Sequence, residues 1–278
     1  MKIKIKTLLV ICSICWAYSL SAQDDEGEQS RESMAVDATA SQWSFQFAYQ
    51  FMPDYHSDIL SNGSPRPAGM DNYAQLRIVA PIALKKLTIL PRLTFRHYEA
   101  PSGKSGFGNT ELFALIIPKV TDWGTGRAGI GPLVTAPGNP DVSKDEWGYG
   151  LAGAIVQNTG NWFYGLLLTQ SFRSIDPNTL PTGASDANPL GIAPFVNYRF
   201  GSTGLYVQTA DIVALYDWDS GTFYLPMGAR FGKVWVWEKA SLNVYGEYRT
   251  SMIYKNWEGS AVKNSYRLNV SYTIPVGG

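Results

Sequence analysis

The sequence predicts an all-β protein: a single antiparallel, up-and-down transmembrane β-barrel of about 12 strands. Three observations lead to this fold class. Apolar residues alternate with polar ones over many short segments, and the connections between those segments alternate between long and short. The arginines collect on the polar faces of the segments and the aromatic residues on the opposite faces.

The first segment, residues 43–52, shows the alternation most clearly. Its odd positions are all aromatic: Trp43, Phe45, Phe47, Tyr49 and Phe51. The last segment repeats the pattern with Tyr266, Leu268, Val270, Tyr272 and Ile274. Successive side chains of a strand point to opposite faces, so each segment has one apolar and one polar face. Since the polar faces carry arginines, we expect lipid outside the barrel and water inside it.

The connections between the predicted strands alternate in length. Those of one series are long, except for the brief 217–221, and cover residues 53–71, 99–106, 136–146, 173–190, 217–221 and 251–264. Those of the other series are short and cover residues 83–86, 118–123, 158–161, 201–204 and 234–239. Long loops at one end and tight turns at the other are typical of outer-membrane barrels, with the tight turns in the periplasm.

The N-terminus has the features of a cleaved export signal, residues 1–22. Three lysines in the first six residues precede an apolar run at 8–15, and small residues precede Gln23. The cysteines, Cys12 and Cys15, both lie in this signal. The mature chain is therefore predicted to have no disulfide, no thiolate metal site and no cysteine nucleophile.

The mature chain divides into two predicted parts. Residues 23–41 are acidic and show no periodicity, so we expect a disordered segment in the periplasm. Residues 42–278 form the predicted barrel, and no run of about 18 apolar residues indicates a transmembrane helix. The 23 basic and 23 acidic residues balance and form no basic stripe, so nucleic acid is not an expected partner.

The charged residues on the inner faces are the candidate site of the barrel. They are Arg77, Arg92, Arg96, Glu111, Arg127, Arg199, Asp211, Arg230, Glu247, Arg249 and Arg267. Rings of arginine favour anions in a pore, and a guanidinium group holds carboxylate or phosphate in a bidentate fork. The alternative is that these side chains fill the barrel as a structural ion network, as Glu247 beside Arg249 and Arg267 suggests. A barrel of about 12 strands lies between a filled and an open interior, so both hypotheses stay open.

Catalysis and metal binding find little support in the sequence. The two histidines, His56 and His97, are far apart, and no serine lies beside His97 along its strand. A barrel lipase needs a serine and a histidine held by an acid or amide. Neither a metal site nor a cofactor is expected, because no histidine and carboxylate residues lie at ligand spacing. The chain is therefore not predicted to be an enzyme.

Eight short motifs occur in one order along residues 72–275. They are Gly106-Phe-Gly-Asn-Thr110, Gly129-Ile-Gly-Pro132, Trp147-Gly-Tyr-Gly150, Asn161-Trp-Phe-Tyr-Gly165, Pro194-Phe-Val-Asn-Tyr198, Tyr216-Asp-Trp218, Leu225-Pro-Met-Gly228 and Gly232-Lys-Val234. In these the chain resembles an uncharacterised family of bacterial outer-membrane β-barrels. Its members are usually labelled transporters, are sometimes grouped with phenol meta-degradation barrel proteins, and are in places mislabelled as neuromedin U. The resemblance implies a barrel in the outer membrane but no substrate and no functional residues.

These observations favour a passive channel for small, anionic or aromatic, solutes in the bacterial outer membrane. One alternative is a closed barrel that acts as a structural or surface-interaction protein through its long loops. A lipid-modifying barrel enzyme is the less favoured alternative. The expected partners are outer-membrane lipid, the barrel assembly machinery, which would read Tyr272 as the terminal aromatic residue, and a small-molecule solute.

Overall fold

The computed structural model describes most of the chain after its first 29 residues. The described ranges are residues 30–37, 39–59, 63–66, 68–100, 103–143, 145–173, 188–256 and 261–275. The predicted signal peptide, residues 1–22, lies outside them, as does the first part of the predicted acidic segment, residues 23–29. Within the described ranges, no helix is long and apolar enough to cross a membrane.

The described residues form one short helix and fifteen strand segments. The helix, α1, is Arg31–Val36. The strands are β1 Gln42–Tyr55, β2 Asp71–Val79, β3 Ile82–Ala83, β4 Leu87–Glu99, β5 Ser105–Phe107, β6 Thr110–Pro118, β7 Gly126–Ala136, β8 Gly148–Thr159, β9 Trp162–Arg173, β10 Pro189–Arg199, β11 Leu205–Thr209, β12 Ala214–Asp217, β13 Phe223–Val236, β14 Ser241–Lys255 and β15 Val262–Pro275. Short 3-10 helices, Lys119–Thr121 and Gly201–Thr203, lie in two of the tight turns.

The strands form one closed antiparallel sheet. Each strand pairs with its neighbour along the chain, and β15 pairs with β1 from Gln42 opposite Pro275 to Tyr55 opposite Val262. Three strands are interrupted, because β2 and β3 both pair with β4, β5 and β6 both pair with β4, and β11 and β12 both lie between β10 and β13. Counting each interrupted pair as one strand gives 12 strands, which confirms the predicted barrel.

The wall is apolar outside and largely polar inside. Along β15, Tyr266, Leu268, Val270, Tyr272 and Ile274 are exposed on the outer face. The residues between them are buried on the inner face, down to 1 % exposure at Asn269 and Thr273. A soluble barrel has the opposite arrangement, so this wall suits lipid as the surrounding solvent.

One side of the interior is apolar. A cluster of buried residues joins strands β2, β4, β6, β7 and β8. It consists of Val79, Leu90, Phe113, Leu115, Ile117, Leu133 and Ala152. Ala154 of β8 and Leu167 of β9 pack against it. The sequence shows apolar residues on both faces in residues 107–117 and 147–172, which contain most of β6, β8 and β9. The ambiguity has a physical cause, since one face meets lipid and the other meets this cluster.

The segment before β1 lies inside the barrel. Helix α1 begins after Ser30, whose Oγ accepts a hydrogen bond from the Ser33 amide at 3.3 Å. Ala35 is buried against Tyr206, Val234 and Tyr245 of the wall. Residues 30–37 and 39–41 thus differ from the disorder expected for residues 23–41. A helix of six residues is marginal in water, and contact with the wall supplies the stability that the segment lacks alone.

The outer face of β1 provides a test of the membrane orientation. Phe47 is 57 % exposed and lies between Leu76 and Val270, midway along the aromatic face. We expect Phe47→Lys to lower the free energy of unfolding by about 2–4 kcal/mol in lipid vesicles, because lysine is costly at the midplane of a bilayer. Phe47→Leu, the control, should lose far less in the same urea titration. Equal losses for the two variants would contradict a lipid-facing wall.

Candidate functional site

The predicted lumen charges fall into three groups in the structure. A central network contains Arg230, Glu247, Arg249 and Arg267 of β13–β15 and Asp211, which lies between β11 and β12. A second group, at the end of the barrel that carries the tight turns, contains Arg127 and Arg199. A third, on β2, β4 and β6, contains Arg77, Arg92, Arg96 and Glu111.

The central network is organised around Glu247, whose side chain is fully buried. Arg230, directly opposite on β13, contacts Glu247 Oε2 through Nη2 at 2.8 Å. Arg249 contacts Glu247 Oε1 through Nε at 3.2 Å. The amide of Asp211 donates to Glu247 Oε2 at 3.1 Å, which orders the chain between β11 and β12. One carboxylate therefore contacts two arginines, which leaves one positive charge in excess, and it also positions the chain between β11 and β12.

Arg267 connects this network to β1 and β2. Its Nη1 contacts Asp211 Oδ2 at 3.0 Å, and its Nη2 donates to Gln50 Oε1 at 2.7 Å and to the Tyr73 hydroxyl at 2.6 Å. Arg249 Nη2 also donates to Gln50. Sequence reasoning did not single out Gln50 and Tyr73, although both occupy inner positions of their strands. The arrangement satisfies Arg267 within the wall and favours the structural hypothesis for this part of the lumen.

The second group holds the N-terminal segment in place. Arg127 contacts Asp37 Oδ2 at 3.4 Å and donates to the Thr39 carbonyl oxygen at 3.1 Å. Arg199 donates to Ser30 Oγ at 2.8 Å and to the Gly160 carbonyl oxygen at 2.5 Å. Two predicted lumen arginines thus bind the segment, and Asp37, which falls in the predicted acidic segment, is the partner that the sequence did not reveal.

Further polar contacts place the segment at the tight-turn end. Ser33 Oγ donates to Asn158 Oδ1 at 2.7 Å, and Arg31 Nη1 donates to the Glu238 carbonyl oxygen at 2.6 Å. Asn158 and Glu238 adjoin the turns that follow β8 and β13. The segment therefore enters the lumen from the end at which β1 begins and β15 ends.

The third group is less completely paired. Arg92 Nη2 lies 3.7 Å from Glu111 Oε1, and Arg96 Nε donates to Gln75 Oε1 at 3.1 Å. Arg77 Nη1 donates to Gln46 Oε1 at 3.5 Å. The contacts of Arg92 and Arg77 are longer than those of Arg267. The arginines of β2 and β4 therefore keep donor groups that the wall does not engage.

A cavity of about 130 Å³ lies between the N-terminal segment and the wall. Its polar side includes Arg77, Arg92, Asp211 and Arg230. Its apolar side is lined by Phe113, Leu115, Phe163, Leu167 and Phe195, and the segment contributes Ala35, Val36 and Asp37. A cavity of roughly 150 Å³ holds a benzene molecule, so the space left beside the segment suits one ring.

The two histidines lie in different environments. His97 is on β4, and its ring contacts that of Phe107 with centroids 5.2 Å apart. His56 Nε2 lies 2.7 Å from Ser251 Oγ, a pairing that the sequence did not predict. The ring of His56 stacks on that of Tyr254. Ser251 Oγ donates its own proton to the Val262 carbonyl oxygen, so this pair joins the loop after β1 to β14 and β15. No group of three histidine, cysteine or carboxylate residues suited to a metal occurs in the described part of the chain.

Comparison with known proteins bears on the fold alone. No protein-family model matches the chain, and no curated protein matches it in sequence. The family resemblance drawn from the eight motifs therefore stays a prediction.

Solved structures of outer-membrane proteins are similar to the chain. The β domain of the Bordetella autotransporter Brka aligns with a TM-score of 0.44 at 12% identity, covering 85% of this chain and 100% of that one. The outer membrane phospholipase A of Escherichia coli aligns with a TM-score of 0.43 at 14% identity, covering 83% and 89%. An outer membrane channel from Pseudomonas putida F1 aligns with a TM-score of 0.56 at 16% identity, covering 91% of this chain and 99% of that one. The last of these similarities shows that the chain shares the barrel fold of that protein.

Proposed function

We propose that the protein is a channel in the bacterial outer membrane that passes small solutes and is closed by its own N-terminal segment. The observation that carries the proposal is the position of residues 30–37 and 39–41, which occupy a barrel interior lined with arginine. The proposed location, reached through the predicted cleaved signal, is supported by the apolar exterior and by the shared fold of the Pseudomonas putida channel.

The segment can leave the lumen without any change in the strands of the wall. It is continuous with the wall only at Gln42, where β1 begins, and all its other contacts are non-covalent. The contacts that hold it are the ion pair of Asp37 with Arg127 and hydrogen bonds at Ser30, Ser33 and Thr39. A hydrogen bond contributes about 0.5–1.5 kcal/mol net, and one to a charged group about 1.5–3 kcal/mol. Together these contacts amount to several kcal/mol, so the segment occupies the lumen most of the time and its release is a rare event.

The charge of the lumen supports passage of anions. The predicted inner faces support it with eight arginines against three carboxylates, namely Arg77, Arg92, Arg96, Arg127, Arg199, Arg230, Arg249 and Arg267 against Glu111, Asp211 and Glu247. Asp37 adds a fourth carboxylate while the segment is in place. Release of the segment removes Asp37 from the lumen and makes the passage more positive, which favours anions further.

The runner-up is a closed barrel that acts through its long loops. The ion pairs of Glu247 with Arg230 and Arg249 and of Asp211 with Arg267 support it, because they join strands and stabilise the wall. Conductance separates the two functions, since a closed barrel carries no current whether or not the segment is present.

The gate is tested by removing it. We expect deletion of residues 30–41 from the mature chain to raise single-channel conductance in a planar bilayer several-fold, because the lumen loses its obstruction. Asp37→Asn, which breaks the ion pair but keeps the segment, should lengthen open times without changing the fully open conductance. Correct folding is checked by heat-modifiable mobility on a gel. A folded deletion variant without current would exclude the channel and favour the closed barrel.

The charge of the lumen is tested by ion selectivity. Under a potassium chloride gradient, we expect the reversal potential to indicate chloride preference, and the deletion variant to show a stronger preference than the full mature chain. The preference should fall between 0.1 M and 1 M salt, because the screening length falls from about 10 Å to about 3 Å. A preference for potassium in both proteins would contradict the assignment of a positive lumen.

A further inference from the structure

Three arginines and a threonine converge on the inner face of β2 and β4. Arg77 of β2 lies directly opposite Thr94 of β4, and Arg92 and Arg96 flank Thr94 two residues away on either side. Directly opposed residues of an antiparallel pair share a face, as do residues two apart along a strand. All four side chains therefore point into the lumen, and Arg77 and Arg92 line the cavity.

This cluster has donor groups that the protein does not engage. Thr94 is fully buried, and its Oγ1 has no hydrogen-bond partner among the residues that the structure describes. The same holds, within those ranges, for the buried Nε atoms of Arg77 and Arg92. A buried donor without a partner costs about 1–3 kcal/mol, and more when it is charged. Arg267, by contrast, is bound by Asp211, Gln50 and Tyr73. Arg230 also has a buried Nε without a partner, so the feature specific to this cluster is the unpartnered Thr94 Oγ1 between two such arginines.

The positive charge of the cluster is poorly compensated. Glu111 is 3.7 Å from Arg92, beyond hydrogen-bond distance, and is the one carboxylate that the described residues place in ion-pair contact with the cluster. Asp211 is bound by Arg267, and Glu247 is bound by Arg230 and Arg249. The cavity lining itself carries Arg77, Arg92 and Arg230 against Asp37 and Asp211, which leaves a surplus of one positive charge beside the cavity.

An apolar surface begins where the charged one ends. The Arg92 guanidinium carbon lies 4.1 Å from the centroid of the Phe113 ring, so its face stacks on an aromatic side chain. Beyond Phe113, the cavity wall continues with Leu115, Leu167 and Phe195. One ligand in the cavity of about 130 Å³ would therefore touch guanidinium groups at one end and apolar side chains at the other.

We propose that this cavity binds a compact carboxylate with an apolar body of about one aromatic ring. The carboxylate accepts hydrogen bonds from Arg77 and Arg92, which line the cavity, because a planar guanidinium group matches a carboxylate in a bidentate fork. The body of the ligand lies against Phe113 and Leu115. The site rests on the proposed channel function, for which it names the class of solute.

The test is calorimetric titration of the folded, full mature chain in detergent with four probes: benzoate, benzylamine, acetate and inorganic phosphate. We expect saturable binding of benzoate, no binding of benzylamine because its charge is opposite, and binding of acetate and phosphate at least tenfold weaker because neither fills the apolar end. These comparisons use the unmodified protein, so they do not depend on whether a variant folds.

Substitutions then locate the site. Arg77→Gln and Arg92→Gln should each weaken benzoate binding at least tenfold. Arg249→Gln is the matched control: it removes the same charge from the lumen, lies outside the cavity lining, and leaves Glu247 paired with Arg230. It should change benzoate affinity less than twofold. Thermal unfolding followed by circular dichroism establishes that each variant is folded.

Several results would overturn the site. They are absence of benzoate binding, equal binding of benzylamine, equal binding of phosphate, and benzoate affinity that is unchanged in folded Arg77→Gln and Arg92→Gln. Failure of the site is distinct from failure of the channel. A barrel that binds benzoate but carries no current would support the ligand site and contradict the channel function. A barrel that conducts but binds no benzoate would support the channel function and contradict the ligand site.

Discussion

The closure of the sheet between β1 and β15 is the constraint on which the rest of the structure depends. A wall surrounded by lipid has no water to bind its backbone amide and carbonyl groups, so every strand needs a partner on both sides. Once the wall is closed, alternate side chains have only two environments, lipid or lumen. Aromatic residues such as Phe47 then lie outside, and arginines such as Arg267 lie inside.

The enclosed charges are used in different ways. On β13–β15, Glu247 and Asp211 neutralise neighbouring arginines and join strands across the lumen, which stabilises the wall. At the tight-turn end, Arg127 binds a segment that is not part of the wall. On β2 and β4, Arg77 and Arg92 keep unused donors beside a cavity. Structural pairing and ligand binding are therefore compatible within one barrel, because they occupy different sectors of its interior.

Much of the fold could be predicted from the sequence because lipid and water impose a period of two on each strand. Strands β1 and β15 could be assigned in this way, together with the faces of Arg77, Arg230 and Glu247. The pattern failed on β6, β8 and β9, where both environments are apolar and the two faces look alike. Neither the partners Gln50 and Tyr73 nor the pairing of His56 with Ser251 has a local signal, because these contacts join residues distant in the chain.

The sequence by itself determined the barrel, the number of its strands and the predominance of arginine on its inner faces, since alternation and connection length are local properties. Only the tertiary structure decided which arginines form ion pairs, which hold residues 30–37 and 39–41, and which remain available to a ligand. The reason is that a guanidinium group takes its role from the side chains that surround it. Asp37 shows this most directly, because an acidic residue of a polar segment becomes a buried partner of Arg127 only inside the closed wall.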